Sequence, residues 1–249
     1  MKQYSGAGNT FLVLFDEEKV GSREEFTINN VGTCDGVIFV RSSSTGKPKF
    51  QIDFYNRDGS LADFCGNGSR CFLRFLYDNQ KISLGEKVSF QTGYGILQGM
   101  MIQLDLATVE MPKPTKPDPI FVEGYHGFFL TVGVPHFVIF LDSQERLEQL
   151  PLTIIGSKIR NSSVFPEGAN VNFITILDTD TLRIRTYERG VEGETMACGS
   201  GSTASAVAYT TQFQKHLSCV NVQTKGGLLT IHFEKNKIFC QGGVQCLKE

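Results

Sequence analysis

The stretch FCGNGSR, Phe64 to Arg70, returns near the other end of the chain as ACGSGST, Ala197 to Thr203. Each copy sets a cysteine and two glycines ahead of a segment that reads as helix. Cys65 and Cys198 lie 133 residues apart (198 − 65). Two further pairs run at nearly the same offset. GNTFLVLFD at 8–16 resembles VPHFVIFLD at 134–142 (134 − 8 = 126), and VSFQTGYGIL at 88–97 matches VNVQTKGGLL at 220–229 (220 − 88 = 132). Collinear matches at near-constant offset mark an internal repeat. The chain reads as two homologous halves.

Between them runs MPKPTKPDPIF, residues 111–121, with four of the eight prolines: Pro112, Pro114, Pro117 and Pro119. Proline withholds a ladder donor and stiffens an extended connector. The expected domains are therefore 1–115 and 116–249, with a C-terminal strand at about 240–249 a candidate to return to the first. Most segments read as strands. FLVLF, GVIFV, QIDFY, VSFQT and IQLDLATVEM are β-branched, aromatic or alternating, and Gly, Asn or Asp bound them. Helical pattern is strongest after each cysteine motif. SRCFLRFLYDNQ is apolar around most of its circumference, as a buried helix would be, and STASAVAYTTQF is built of small residues. The expected fold class is α+β: two homologous domains, each a mainly antiparallel, barrel-like sheet around one central helix that a cysteine opens.

A cysteine at a helix N-terminus meets unpaired N–H groups and the positive end of the dipole. Its pKa there falls from about 8.5 into the range of roughly 3.5–7.5. The same N–H groups form an anion site, which glycine lets a carboxylate approach closely. Two such elements facing one another put a thiolate and a thiol on one carbon. One removes a proton while the other delivers one, which inverts the centre without a cofactor. A lone Cys-Gly-x-Gly is more often a plain helix-start turn around a buried cysteine. Two copies at matching places in a duplicated chain weigh against that reading. Cys34, Cys71, Cys219, Cys240 and Cys246 lack the setting and read as core or surface thiols.

Other chemistries fit less well. No C-x-x-C or H-x-x-x-H spacing offers a zinc site, so no metal is expected. A cysteine hydrolase would need a histidine, and of His126, His136, His216 and His232 only His136 opens a repeated strand. GAGN at 6–9 is a weak phosphate-loop signal. The 249 residues, 41% hydrophobic and 20% charged, suffice for sizeable cores. A net charge of −2 offers nucleic acid or anionic membrane nothing to bind. No window approaches the roughly 18 apolar residues of a membrane span, and MKQYSGAGNTFLVLF lacks signal-peptide features. Seven cysteines, an odd count, point to a reducing compartment, so a cytoplasmic location is expected.

The motifs resemble the diaminopimelate epimerases, of the cofactor-independent two-cysteine amino-acid racemases. GAGNTF (6–11), NRDGSLADFCGNGSRC (56–71), EGAN (167–170) and YERGVEGETMACGSGS (187–202) carry the resemblance over nearly the whole chain. Asn67 after the first Cys-Gly favours this family over proline racemases, which carry histidine there. The resemblance implies that Cys65 and Cys198 are the two bases, with His136 and Glu188 beside them. It implies that Asn9, Gly66, Asn67, Glu188, Gly199 and Ser200 hold the substrate's α-carboxylate and ammonium. Asn56, Asn170 and Arg189 would meet its distal end. The residue chemistry agrees: Arg189 can fork onto a carboxylate, Glu188 can accept from an ammonium, and asparagine can serve either.

The implied reaction is epimerisation of LL- to meso-diaminopimelate, supplying lysine and peptidoglycan precursors, with no cofactor. The partner is a small-molecule amino acid, with a homodimer a candidate assembly. Alternatives are a broader racemase, acting for example on glutamate, and a non-catalytic or redox thiol protein. Val134 stands in GVPH where the family usually has asparagine, Thr10 replaces a common aspartate, and Gly36 stands where some members have glutamine. These departures from the family pattern bear on the residues that the resemblance would place at the substrate's distal end.

Overall fold

The computed structural model describes residues 1–16, 21–43, 46 and 48–248. Its internal contacts divide the chain into two units, Met1–Glu110 with Gln241–Glu249, and Met111–Cys240. In the first unit the elements are β1 (Lys2–Gly6), β2 (Asn9–Phe15), α1 (Arg23–Asn30), β3 (Gly36–Ser42), β4 (Phe50–Asn56), β5 (Leu61–Ala62), α2 (Gly66–Asp78), β6 (Val88–Gln91), β7 (Ile96–Gln103) and β8 (Leu106–Glu110). The second holds β9 (Asp118–Val122), β10 (Tyr125–Val132), β11 (Val134–Phe140), α3 (Gln144–Glu148), α4 (Leu152–Arg160), β12 (Asn170–Asp178), β13 (Thr181–Glu188), β14 (Gly193–Glu194), α5 (Gly199–Gln212), β15 (Cys219–Thr224) and β16 (Gly227–Glu234). The last strand, β17 (Lys237–Lys248), runs from the second unit into the first.

One pairing plan serves both units. In the first, β1 lies antiparallel to β2, β2 parallel to β3, β3 antiparallel to β4, β4 parallel to β6, and β6 antiparallel to β7. In the second, β10, β11, β12, β13, β15 and β16 repeat that alternation of directions. The first sheet also closes on itself, since β7 pairs with β8, β8 with β17 and β17 with β1. The repeated QT…G segments form equivalent hairpin turns: Thr92 Oγ1 donates to Gly95 O at 3.0 Å, and Thr224 Oγ1 to Gly227 O at 2.7 Å.

Each helix that follows a cysteine is nearly engulfed. In α2, ten of thirteen residues are buried, and Cys71, Phe72, Leu73, Phe75 and Leu76 join the core of strand residues that includes Phe11, Val13, Ile38, Ile52 and Phe90. Phe72 sits edge-on to both Phe50 and Phe90, with ring centroids 5.9 and 5.1 Å away. Truncating it to alanine would cost about 3–5 kcal/mol. The opposite parity of the same strands, Leu12, Leu14, Val37 and Phe39, packs with Phe26 of α1. Covering both faces explains why FLVLF and GVIFV are unbroken apolar runs rather than alternating ones. In α5 the buried residues are mostly Gly, Ser, Thr and Ala, so the sheet backbone approaches closely. Among the described residues, no helix is long and apolar enough to cross a membrane.

The structure differs from the sequence reading in several places. Helices α1, α3 and α4 were not read as helices from the sequence. The signals of α1 and α3 are caps: Ser22 accepts from Glu25 N–H in an S-x-x-E box, and Ser143 accepts from Arg146 N–H. Helix α4 has no side-chain cap and is marked instead by a short apolar stripe, Leu152, Ile155 and Ile159, against the core of the second unit. IQLDLATVEM is a hairpin rather than one strand, turning at Leu104–Asp105 between β7 and β8. Pro119 belongs to β9, opposite Phe128, where proline fits if the ladder asks for no N–H. GAGN is the two-residue turn of the β1–β2 hairpin. Ala7 (φ 50°) and Gly8 (φ 88°) both take left-handed backbone, as a type I′ turn requires.

Candidate active site

Cys65 is the N-cap of α2, in extended backbone (φ −140°), and its Sγ accepts the Gly68 N–H at 3.3 Å. Cys198 caps α5 in the same way (φ −124°), accepting the Gly201 N–H at 3.3 Å, with Ser200 Oγ 3.4 Å from the sulfur. Both sulfurs therefore sit at the positive end of a helix dipole and already accept a backbone hydrogen bond. Both interactions favour thiolate over thiol.

In the first unit, parallel pairing brings the starts of β2 and β3 to the sheet edge where β4 ends, since Phe11 lies opposite Gly36 and Gly36 opposite Asn56. Asn9 and Asn56 share that edge. Asn67, almost fully buried in the first turn of α2, donates from Nδ2 to Asn9 Oδ1 at 2.9 Å. Arg70, fully buried one turn on, donates to Asn67 Oδ1 and fixes which way that amide points. The strand beneath must approach closely: a Cβ on Gly6 would lie 2.6 Å from Asn67 O. Asn56 Nδ2 donates to Ser60 Oγ at 3.0 Å in an exposed turn. Asp58 accepts from both the Ser60 hydroxyl and its N–H, which hold its carboxyl below the usual range. Thr10 directs its N–H and hydroxyl to Asp35 Oδ2 at 2.7 and 3.1 Å.

In the second unit the equivalent edge gathers the starts of β11 and β12 and the end of β13. His136 lies opposite Asn170, whose Oδ1 accepts the Arg189 N–H at 2.7 Å. Arg189 Nη1 donates to Glu167 O at 2.9 Å, and Glu188 Oε2 accepts from Thr195 Oγ1 at 2.9 Å. His136 is fully buried, with Nδ1 3.2 Å from Asn172 Nδ2. Burial, and after it the Arg189 charge, push its pKa down from 6.5 to about 3, so the ring is neutral near pH 7. Val134 begins β11, two residues before His136 at this edge, after a Gly133 turn (φ 73°).

The segment leading to Cys198 is clamped. Glu194 receives both arms of the Arg185 fork, at 2.7 and 3.0 Å, and Lys225 at 2.7 Å. Burial alone would raise the Glu194 pKa, but these hydrogen bonds outweigh it and hold the carboxyl low. Beside Cys198 lies a cavity of about 10 Å³, lined by Thr186, Thr195 and Lys225 among others and roomy enough for one water. Two larger cavities in this unit, about 510 and 390 Å³, contain none of these residues; one is walled by Phe121, Phe128 and Phe213, the other by Lys113, Lys116 and Lys235.

Cys65, Gly66, Asn67, Asn9 and Asn56 thus share one edge of the first unit. Cys198, Gly199, Ser200, His136, Asn170, Glu188 and Arg189 share the corresponding edge of the second. Sequence reasoning missed Asp35, Arg70 and Asn172. Arg70 lies within the cysteine motif itself, and Asn172 follows Asn170 at strand spacing, so both carried a local signal.

A family model described as diaminopimelate epimerase matches residues 3–116 and 128–246. The diaminopimelate epimerase of Thermotoga maritima is 39% identical over 99% of this chain and 99% of that protein. That of Aquifex aeolicus is 36% identical over 96% of this chain and 92% of that protein. Among solved structures, a PhzF-family phenazine biosynthesis protein from Bacillus anthracis has a TM-score of 0.79 at 13% identity, covering 99% of this chain and 96% of that one, a likeness of fold alone.

Proposed function

The chain belongs to the diaminopimelate epimerase family and is an isomerase; on that premise we propose that it interconverts LL- and meso-diaminopimelate by passing protons between the substrate α-carbon and two cysteines. The observation that carries the reading is the matched pair of caps: Cys65 and Cys198 open equivalent helices, each sulfur accepting the N–H three residues on at 3.3 Å. One cysteine acts as thiolate and takes the α-hydrogen as a proton, leaving its electron pair on the α-carbon. The other, as thiol, donates its proton to the opposite face. The product has the inverted centre, and the thiol and thiolate have exchanged places, to be reset by proton exchange with solvent. No cofactor or metal enters the step.

The carbanion is stabilised by delocalisation into the α-carboxylate, which N–H groups of Gly66, Asn67, Gly199 and Ser200 would receive at the two helix N-termini. Asn9 serves the same end of the substrate and Glu188 its ammonium. Asn56, Asn170 and Arg189 would meet the distal end. The enzyme is read as cytoplasmic, in keeping with its odd number of cysteines. The test is the pair Cys65→Ser and Cys198→Ser. Each should lower inversion of diaminopimelate by at least about 10²-fold, with the double variant little worse than either single. Either single variant retaining more than about a tenth of the wild-type rate would refute the two-base assignment.

Val134 favours a second activity. An apolar residue at this edge attracts no distal polar group and leaves nothing unpaired when a shorter amino acid binds. We read the enzyme as an epimerase that also racemises a shorter acidic amino acid such as glutamate, more slowly, with Arg189 meeting its side-chain carboxylate.

A further inference from the structure

The carboxamide of Asn172 is fully buried, and two backbone carbonyls determine its orientation. At one end lie the carbonyl oxygens of Phe137 and Asn170, 3.4 and 3.5 Å from Nδ2. Carbonyls only accept, so the NH₂ end must face them. At the other end Thr186 Oγ1 donates to Oδ1 at 3.0 Å. The same NH₂ group meets His136 Nδ1 at 3.2 Å. A nitrogen that faces a donor must itself be the acceptor, so Nδ1 carries the lone pair. A neutral imidazole has one N–H, which then belongs to Nε2. An imidazolium would turn N–H against N–H in a site without water's screening.

We propose that Asn172 is a positioning residue that holds His136 as a neutral imidazole with its proton on Nε2, so that His136 serves the reaction as a hydrogen-bond donor and not as a base. The proposal deepens the two-cysteine reading and rests on it for the catalytic role, though not for the tautomer. His136 Nε2 is buried and has no hydrogen-bond partner among the described residues. A buried N–H without an acceptor is costly unless a ligand or side chain meets it in the working enzyme. It can meet any acceptor, and the acceptors that carry charge in the proposed reaction are a thiolate and a carboxylate. It would stabilise that charge while leaving the transferred proton on sulfur.

The groups around the ring agree. The charge of Arg189, beyond the end of β13, acts against protonation, and burial adds to it. Asn172 also touches the second motif, because a Cβ on Gly201 would lie 2.4 Å from its Oδ1. One carboxamide therefore sets the tautomer of His136 and braces the turn that caps Cys198. Sequence parity places it there: Asn170 and Asn172 alternate along β12, opposite His136 and Val138 of β11.

The test is long-range ¹⁵N–¹H NMR of the full-length protein labelled at its histidines, with the His136 signals assigned by their loss in His136→Asn. His136 should show a protonated Nε2 and an unprotonated Nδ1 from pH 8 down to pH 5. A proton on Nδ1, or a doubly protonated ring at pH 7, overturns the proposal. A second arm uses Asn172→Asp, whose carboxylate can only accept. The proton should move to Nδ1 and the ring should titrate in the accessible range. The kcat for α-deuterium exchange on diaminopimelate should fall at least about tenfold, with KM changed less than about threefold. An unchanged kcat with the tautomer switched would overturn the positioning role. If Asn172→Asp does not fold, the wild-type spectrum alone decides. A wild type that exchanges no amino acid would refute the reaction above and leave the tautomer standing, since the spectrum is read without substrate.

Discussion

Gly201→Ala separates local preference from tertiary packing by the sign of its effect. Gly201 lies in the first turn of α5, and within a helix alanine is favoured over glycine by about 0.5–1 kcal/mol. Propensity alone thus predicts a more stable protein. The structure predicts the reverse. The new Cβ would stand 2.4 Å from Asn172 Oδ1 and 3.3 Å from both Cβ and Sγ of Cys198. Asn172 cannot swing away without breaking its bonds to Thr186 and His136. Overpacking of this kind costs about 1–3 kcal/mol, and a buried polar group left unmet about 1–3 more. After the helix gain, a net loss of about 1–5 kcal/mol remains. For a chain of this length the melting temperature should fall by about 2–4 °C per kcal/mol. The assay is thermal unfolding of Gly201→Ala in wild-type and Asn172→Ala backgrounds. With the oxygen gone, the substitution should become neutral or stabilising, a coupling that only contacting residues show. Gly201→Ala melting at or above wild type, or an equal loss in both backgrounds, would refute the packing argument.

Two further outcomes are expected. Val134→Asn should raise the ratio of exchange rates on diaminopimelate over glutamate, because a site with a polar group to satisfy can reject an analogue lacking its partner by up to about 10⁴–10⁵; an unchanged ratio would remove position 134 from substrate selection. The His136 pKa is depressed to about 3 in the folded chain and is ordinary, near 6.5, when unfolded. Below pH 6.5 the unfolded chain takes up a proton that the folded one refuses, so stability is lost as pH falls toward 3, by about 1.4 kcal/mol per unit. By denaturant titration, the stability of wild type relative to His136→Gln should therefore fall by about 2 kcal/mol between pH 6.5 and pH 4.5; a difference independent of pH would contradict the buried neutral ring.

What was legible in the sequence was whatever a local rule governs. Cys-Gly-x-Gly-Ser before an apolar or small-residue run gives a capped helix at both places it occurs in this chain, and α2 and α5 begin at Gly66 and Gly199. Unbroken apolar runs gave strands. They did not give strand order, because the parallel pairings of β2 with β3 and β11 with β12 are made across helices, beyond the reach of any periodicity. Yet those pairings carry Asn9 to the edge where Asn56 ends its strand, and His136 opposite Asn170. The outer helices α1 and α3 were missed because capping signals are weaker than a hydrophobic stripe, and α4 because its stripe is only nine residues long with no side-chain cap to mark its start. Arg70, Asp35 and Asn172 were missed for another reason. Arg70 and Asn172 sit in or beside a motif, but what they do, orienting Asn67 and meeting His136, and the hold of Asp35 on Thr10, are partnerships that exist only once the chain has folded.

The most direct test of two-cysteine epimerisation is the isotope content of substrate and product at early conversion in D₂O. LL-diaminopimelate is incubated with wild-type enzyme, the meso product and unreacted substrate are separated, and deuterium at the α-carbon is measured in each by mass spectrometry. With two bases, the substrate's proton leaves on one sulfur while a solvent-derived deuteron arrives from the other. The product should then carry one deuterium per inverted centre, while recovered substrate stays protiated. A single base that lifts the proton and returns it to the other face would carry protium into the product. Product retaining the substrate's own hydrogen, or no meso product at all, would contradict the account.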